Sequence, residues 1–143
     1  FDSREESDYL PHRYTQNSVV YTGTHDNDTI IGWTYSAKGE DVEYAMRYLG
    51  ATSREALREK MMIAALSSVS DTCILTMQDL IGLGGEGRMN TPSTLGQNWQ
   101  WRALREQINE SSAGFLRYYT ELYHRRNHSK SYRRGRTHSR RRQ

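Results

Sequence analysis

One cysteine, Cys73, occurs in the 143 residues, so no internal disulfide framework can hold the fold. It sits in the apolar run Cys73-Ile74-Leu75 and is expected to be a buried structural thiol in a reducing compartment, by default the cytoplasm. Proline is scarce at two residues, and long apolar runs are missing. No stretch approaches the ~20 apolar residues that cross a bilayer, and Phe1-Asp2-Ser3-Arg4-Glu5-Glu6 does not spell a signal peptide, so no membrane partner is expected. Hydrophobic residues are also sparse, at 35% of the chain. Typical soluble domains carry about 45–50% with glycine counted, a gap that the 11 glycines here narrow without closing. Length by itself suits one compact domain. The first residue is Phe1 rather than Met, which raises the expectation of a piece of something longer.

Acid is absent from the end of the chain. All 17 acidic residues lie at or before Glu121, whereas residues 125–143 hold nine Lys or Arg and no acid. The net charge of +3 therefore averages two unlike regions, because eleven basic residues face seventeen acids upstream and give the body a charge of −6. Nothing beyond Arg125 is periodic. The expected organisation is a folded part over residues 1–124 and a basic, disordered tail over 125–143.

What is present reads as α/β. Ser18-Val19-Val20-Tyr21-Thr22, closed by Gly23, is a strand signal, and the residues from there through Gly32 are polar and turn-prone. Val42, Ala45, Met46 and Leu49 recur at spacings of three and four after Glu40 and Asp41, which predicts a helix that Gly50 stops. A second helix starts from a Ser53 cap, with Ala56, Leu57, Met61, Ile63, Ala64, Ala65 and Leu66 on its apolar face. Residues 72–77 form another β-rich run. Strand, helix, helix, strand implies a crossover between parallel strands, and two such strands need further partners. Residues 82–98 carry five glycines and Pro92 and predict a long functional loop. Residues 99–108 and 113–123 then read as helices.

Several short patterns invite chemistry. Gly82-Leu83-Gly84-Gly85-Glu86-Gly87 fits G-x-G-x-x-G after a strand, but a dinucleotide site needs that motif to open a helix. The Arg88-Met89-Asn90-Thr91-Pro92 that follows is a poor helix start, so no nucleotide cofactor is expected. His124 and His128 have H-x3-H spacing without enough further ligands for zinc, so no metal is expected either. The arginine-rich tail could neutralise phosphates, which gives a second reading as a nucleic-acid-binding or interaction protein. Its only aromatic is Tyr132, and a solvated end explains it as well. Thr24-His25-Asp26-Asn27-Asp28-Thr29 is the strongest pattern: two carboxylates and a histidine just past a strand, where barrel enzymes keep their reactive groups. The same residues also suit an Asx-type turn capping the next segment, and the hexapeptide alone leaves both open.

Longer stretches narrow the choice. Ile31-Gly32-Trp33 follows the hexapeptide directly. Further on come Gln78-Asp79-Leu80-Ile81-Gly82-Leu83-Gly84-Gly85-Glu86-Gly87-Arg88-Met89-Asn90-Thr91-Pro92-Ser93-Thr94 and Asn98-Trp99-Gln100-Trp101-Arg102. Together with Tyr9-Leu10-Pro11-His12, these resemble the C-terminal portion of the 4-α-glucanotransferase family, the amylomaltases or disproportionating enzymes, over about residues 1–123 and in the same order.

The resemblance implies the C-terminal part of a (β/α)8 barrel, about strands seven and eight with their helices. It also implies cofactor-free, retaining transfer of an α-1,4-glucan segment to the 4-hydroxyl of a glucose, maltooligosaccharide or glucan acceptor. Asp26 matches the family's third carboxylate, which holds sugar hydroxyls in the transition state, and His25 matches the histidine beside it. Asn90 is expected to contact sugar from the long loop. Trp33, Trp99 and Trp101 are candidates for stacking, with core packing favoured for each. The family's nucleophile and acid/base match nothing here, being expected upstream of Phe1, so the isolated chain is expected to be inactive and to need the rest of the barrel. Deletion of residues 125–143 separates the two readings: glucan binding is expected to persist and phosphate-driven binding to vanish, as measured by titration with maltoheptaose and with single-stranded DNA.

Overall fold

The computed structural model describes residues 1–4 and 7–126. Arg125 and Arg126 of the expected tail are described, whereas disorder beyond them and the role of His128 concern positions outside the described residues. Strand β1 (Val19–Tyr21) is followed by three helices, α1 (Ile30–Ser36), α2 (Gly39–Leu49) and α3 (Arg54–Ser67). After them come strand β2 (Thr72–Ile74), the short helix α4 (Met77–Ile81), a long irregular segment and helix α5 (Glu110–Leu122). The strands pair in parallel, with Val19 opposite Thr72, Val20 opposite Cys73 and Tyr21 opposite Ile74. This is the expected α/β crossover, with three helices rather than two inside it.

Local chemistry explains the boundaries. The Ser53 hydroxyl accepts from the Ala56 N–H at 3.1 Å and starts α3, and Gly50 ends α2 at φ +66°, a left-handed conformation that glycine adopts without a Cβ clash. Glu40 and Asp41 sit in the first turn of α2, where the helix dipole favours negative charge. Helices α2 and α3 meet through Val42, Ala45 and Leu57, with Trp33, Met46, Leu49 and Met61 packed around them. Met62, rather than Met61, is the fully buried methionine of α3.

Three elements differ from the sequence expectation. Polar residues up to Gly32 predict turn, yet α1 begins at Ile30, because the Thr29 hydroxyl accepts from the Gly32 N–H at 3.0 Å and caps it. The second β run stops at Ile74 and Met77 opens α4, since the Thr76 hydroxyl accepts from the Asp79 N–H at 3.2 Å. Residues 99–108 form no α-helix. Trp99 takes φ +65° and donates its N–H to the Met89 carbonyl at 2.8 Å, which ties this backbone to the neighbouring loop; one 3-10 turn, Arg105–Gln107, follows.

Asp79 joins the two strand exits. It is 1% exposed, and its carboxylate accepts from the Ile30 N–H at 2.7 Å and from the Thr76 hydroxyl at 2.7 Å. One buried side chain thus satisfies the first turn of α1, which follows β1, and the cap of α4, which follows β2. Arg58 of α3 donates to the Asp79 and Leu80 carbonyls at 2.6 and 3.2 Å, which fixes α4 from its other end. At the far side, Arg125 donates to the Leu66 and Ser68 carbonyls and fastens the end of α5 to the end of α3.

The sheet is covered unevenly. Val20 is buried, but Val19, Tyr21 and Ile74 are 46%, 48% and 44% exposed, so one face of a parallel pair lies open. Parallel sheets are ordinarily covered on both faces.

Two measurements check this packing. Asp79→Ala leaves the buried Ile30 N–H and the part-buried Thr76 hydroxyl without an acceptor, so thermal unfolding of the purified chain is expected to show a loss of about 3 kcal/mol, a Tm drop of about 10 °C. Burial pushes the Cys73 thiol up, the field of Arg125 opposing it more weakly, so less thiolate is present at a given pH. Iodoacetamide is therefore expected to alkylate Cys73 more slowly in the folded chain than in urea at pH 8, with the rate still climbing above pH 9.

Candidate functional site

Parallel strands point their C-terminal ends the same way, so the loops that follow β1 and β2 emerge side by side. The Thr22 N–H donates to the Ile74 carbonyl at 3.3 Å, and the Thr76 N–H donates to the Thr22 hydroxyl at 3.3 Å, holding the two exits together. The first loop is a tight turn in which the Asn27 side chain accepts from the Thr24 N–H at 2.8 Å and from the Thr24 hydroxyl at 2.9 Å. Asp28 faces inward: its carboxylate occupies the space that a side chain at Gly32 would need. The cap of the following helix is Thr29 rather than Asp26 or Asp28, Asp28 accepting only from the adjacent Thr29 N–H at 2.8 Å, while His25 and Asp26 remain on the outer side of the same turn.

His25, Asp26 and Asn90 come together. The Asn90 side-chain amide donates to Asp26 Oδ1 at 2.6 Å, across 64 positions of sequence. The Asn90 N–H also donates to the His25 carbonyl at 3.0 Å. His25 Nε2 lies 3.4 Å from Asp26 Oδ2, and the two side chains are 56% and 47% exposed. The carboxylate is therefore oriented by Asn90 at Oδ1, has His25 beside Oδ2, and keeps about half of its surface open to a ligand. A carboxylate only accepts, so it is the amide nitrogen of Asn90 that faces it.

Sequence reasoning missed Arg88. Its guanidinium donates to the Asp26 carbonyl at 2.8 Å and to the Asn90 carbonyl at 3.0 Å, so it staples the two loops behind the site. No periodicity marks such a residue; its sole signal is position, two residues before Asn90 in an otherwise glycine-rich stretch.

The glycine motif has a steric origin. Gly82 adopts φ +79° at the end of α4, and a Cβ on Gly87 would meet the Leu83 side chain at 2.9 Å. Gly85–Gly87 forms a 3-10 turn and opens no longer helix, so a dinucleotide cradle is not built here. Among the described residues, no three His, Cys, Asp or Glu gather as a metal-binding group. Of the tryptophans, Trp33 packs against the core and Trp101 is half-buried. Trp99 departs from the core packing favoured for it: it is 55% exposed, with its ring centroid 5.1 Å from that of His25.

A large groove lies elsewhere. It holds about 1060 Å³ along β1 and α3, and reaches Thr24, Asn27 and Asp28 without being lined by His25, Asp26 or Asn90. We place the site at the converging side chains, because their hydrogen-bonding groups are aimed and exposed, whereas this groove follows the strand flank.

Known proteins are similar to this chain over most of its length. The family model described as 4-alpha-glucanotransferase matches residues 1–107. A 4-alpha-glucanotransferase of a Synechocystis species is 42% identical over 127 residues, covering 88% of this chain and 25% of the relative. The chloroplastic/amyloplastic 4-alpha-glucanotransferase of Solanum tuberosum is 45% identical over 102 residues, covering 71% of this chain and 18% of the relative. The solved amylomaltase from Streptococcus agalactiae in complex with acarbose superposes with a TM-score of 0.80 at 38% identity, over 86% of this chain and 25% of that one. The chain therefore spans about a quarter or less of the length of these relatives. With a family model covering most of its residues and the same fold in a solved member, the chain belongs to the 4-α-glucanotransferase family.

Proposed function

We propose that this chain carries the part of a 4-α-glucanotransferase site that grips the glucosyl ring at the reacting bond, and that residues outside these 143 complete it. The carrying observation is the convergence of Asp26, His25 and Asn90 at the exits of two parallel strands, with Asn90 donating to Asp26 at 2.6 Å. In this reading the strands are about the seventh and eighth of a (β/α)8 barrel. The exposed Val19, Tyr21 and Ile74 face its interior, and the groove along β1 receives its remaining part. Two facts support that: parallel strands ordinarily have both faces covered, and the chain covers a quarter or less of its relatives.

The reaction is transfer of an α-1,4-glucan segment to the 4-hydroxyl of an acceptor, with retention. A nucleophilic carboxylate and an acid/base carboxylate, both contributed from outside this chain, form and resolve a glycosyl intermediate. Asp26 accepts hydrogen bonds from ring hydroxyls. Those bonds are present in the bound substrate and strengthen as positive charge develops at the anomeric carbon, so its contribution is largest in the transition state. Asn90 and Arg88 hold Asp26 in place before substrate arrives, which removes reorganisation from the reaction step. His25, open beside Asp26, offers the same ring a further hydrogen-bonding group. The compartment proposed is the reducing cytoplasm, in keeping with the single half-buried thiol.

Two outcomes test the proposal. The homogeneous 143-residue chain is expected to release no glucose from maltotriose, and robust disproportionation would refute the incomplete site. It is expected nonetheless to bind acarbose or maltoheptaose saturably by calorimetry. Asp26→Asn is expected to weaken that binding about tenfold, the scale of losing a hydrogen bond to a charged group.

A further inference from the structure

Trp99 is out of place for a residue that serves folding alone. Its φ of +65° lies in the left-handed region, which bulky side chains rarely enter and which marks functional positions when the surroundings enforce it. The enforcing contacts are the Trp99 N–H on the Met89 carbonyl at 2.8 Å and the Arg102 guanidinium on the Trp99 carbonyl at 3.2 Å. What this strained backbone achieves is exposure, since the ring remains 55% accessible instead of entering the core. Among the described residues nothing accepts a hydrogen bond from its indole N–H.

Position adds the second argument. The indole lies 5.1 Å from the His25 ring, centroid to centroid, at 34° between planes. His25 is the neighbour of Asp26, and the Met89 carbonyl that holds Trp99 precedes Asn90 directly. A flat apolar surface with a free donor on its edge therefore stands beside the groups proposed to hold sugar hydroxyls. A glucosyl ring has a matching division: C–H groups on its faces and hydroxyls around its rim. An aromatic face can cover the former while Asp26 and Asn90 bind the latter.

We propose that Trp99 is a glucan-binding residue whose indole lies against the C–H face of an α-glucosyl unit adjoining the one held by Asp26. The inference rests on the glucan-binding reading of Asp26, His25 and Asn90. It adds a positioning surface that keeps the glucan chain in register past the reacting ring.

The test titrates the 15N-labelled 143-residue chain with maltoheptaose and follows the indole N–H signals of its three tryptophans. The Trp99 signal is expected to shift saturably while that of Trp33, packed against the core, stays in place. Trp99→Tyr keeps an aromatic face and should retain most of the affinity. Trp99→Asn suits the left-handed backbone, so it should keep the Tm while weakening maltoheptaose binding about tenfold. If Trp99→Asn binds as the unaltered chain does while Asp26→Asn does not, the inference is overturned and the proposed function stands. Should Trp99→Asn lose binding together with Tm and amide dispersion, Trp99 is structural and the inference is again overturned. Absence of any saturable shift in the unaltered chain removes the proposed function and this inference with it.

Discussion

A single buried carboxylate organises this chain. Asp79 satisfies the Ile30 N–H at the start of α1 and the Thr76 hydroxyl at the start of α4, and those two helices follow the two strands. Replacing either partner's acceptor with nothing would leave a polar group in a site that is 1% exposed, where an unmade hydrogen bond costs far more than a made one contributes. The geometry at the strand exits is consequently determined by a contact across 49 positions of sequence. Arg58 extends the restraint to α3, so that helix is tied to α4 behind the candidate site.

That anchor explains why the site can lie on loops and still be ordered. Loops carry few packing contacts of their own, and a constellation on them is only as well defined as its supports. Here the supports are successive. Asp79 sets where the β1 loop ends, Asp28 fills the space over Gly32, and the Asn27 side chain closes the turn back onto Thr24. The second loop is then joined to the first by Arg88 and by the Asn90 N–H on the His25 carbonyl. Asp26 inherits a defined position without itself being buried.

Much of this is legible in the sequence, and most of what is not depends on contacts far along the chain. Helices α2 and α3 were legible because each writes its apolar face at helical spacing and carries its stop or cap locally, in Gly50 and Ser53. The convergence of His25, Asp26 and Asn90 was legible only through resemblance, since no local rule links residues 25 and 90. Helix α1 was missed because its start depends on Asp79, far along the chain, as well as on Thr29. The helix expected over residues 99–108 failed for the same kind of reason: Trp99 answers to the Met89 carbonyl of an adjacent loop, and a tertiary bond overrides the local preference. Arg88, which donates to the nearby Asn90 carbonyl and to the distant Asp26 carbonyl, leaves no periodic trace at all.

The uneven burial of the sheet and the exposure of the site have different meanings, and physical chemistry separates them. Val19, Tyr21 and Ile74 are apolar groups in water on the open face of a parallel pair, an arrangement that gains free energy whenever any apolar surface covers it. His25 and Asp26 are polar groups that lose nothing in water and already hold their orientation through Asn90, Arg88 and the turn around them. The first kind of exposure calls for more protein, while the second suits a hydroxyl-bearing ligand that replaces water bond for bond. Because the two surfaces are held by one restraint at Asp79, covering the open face need not rebuild the loops that carry His25, Asp26 and Asn90. Under the proposed function, covering that face and engaging a glucan are separate events on a shared frame.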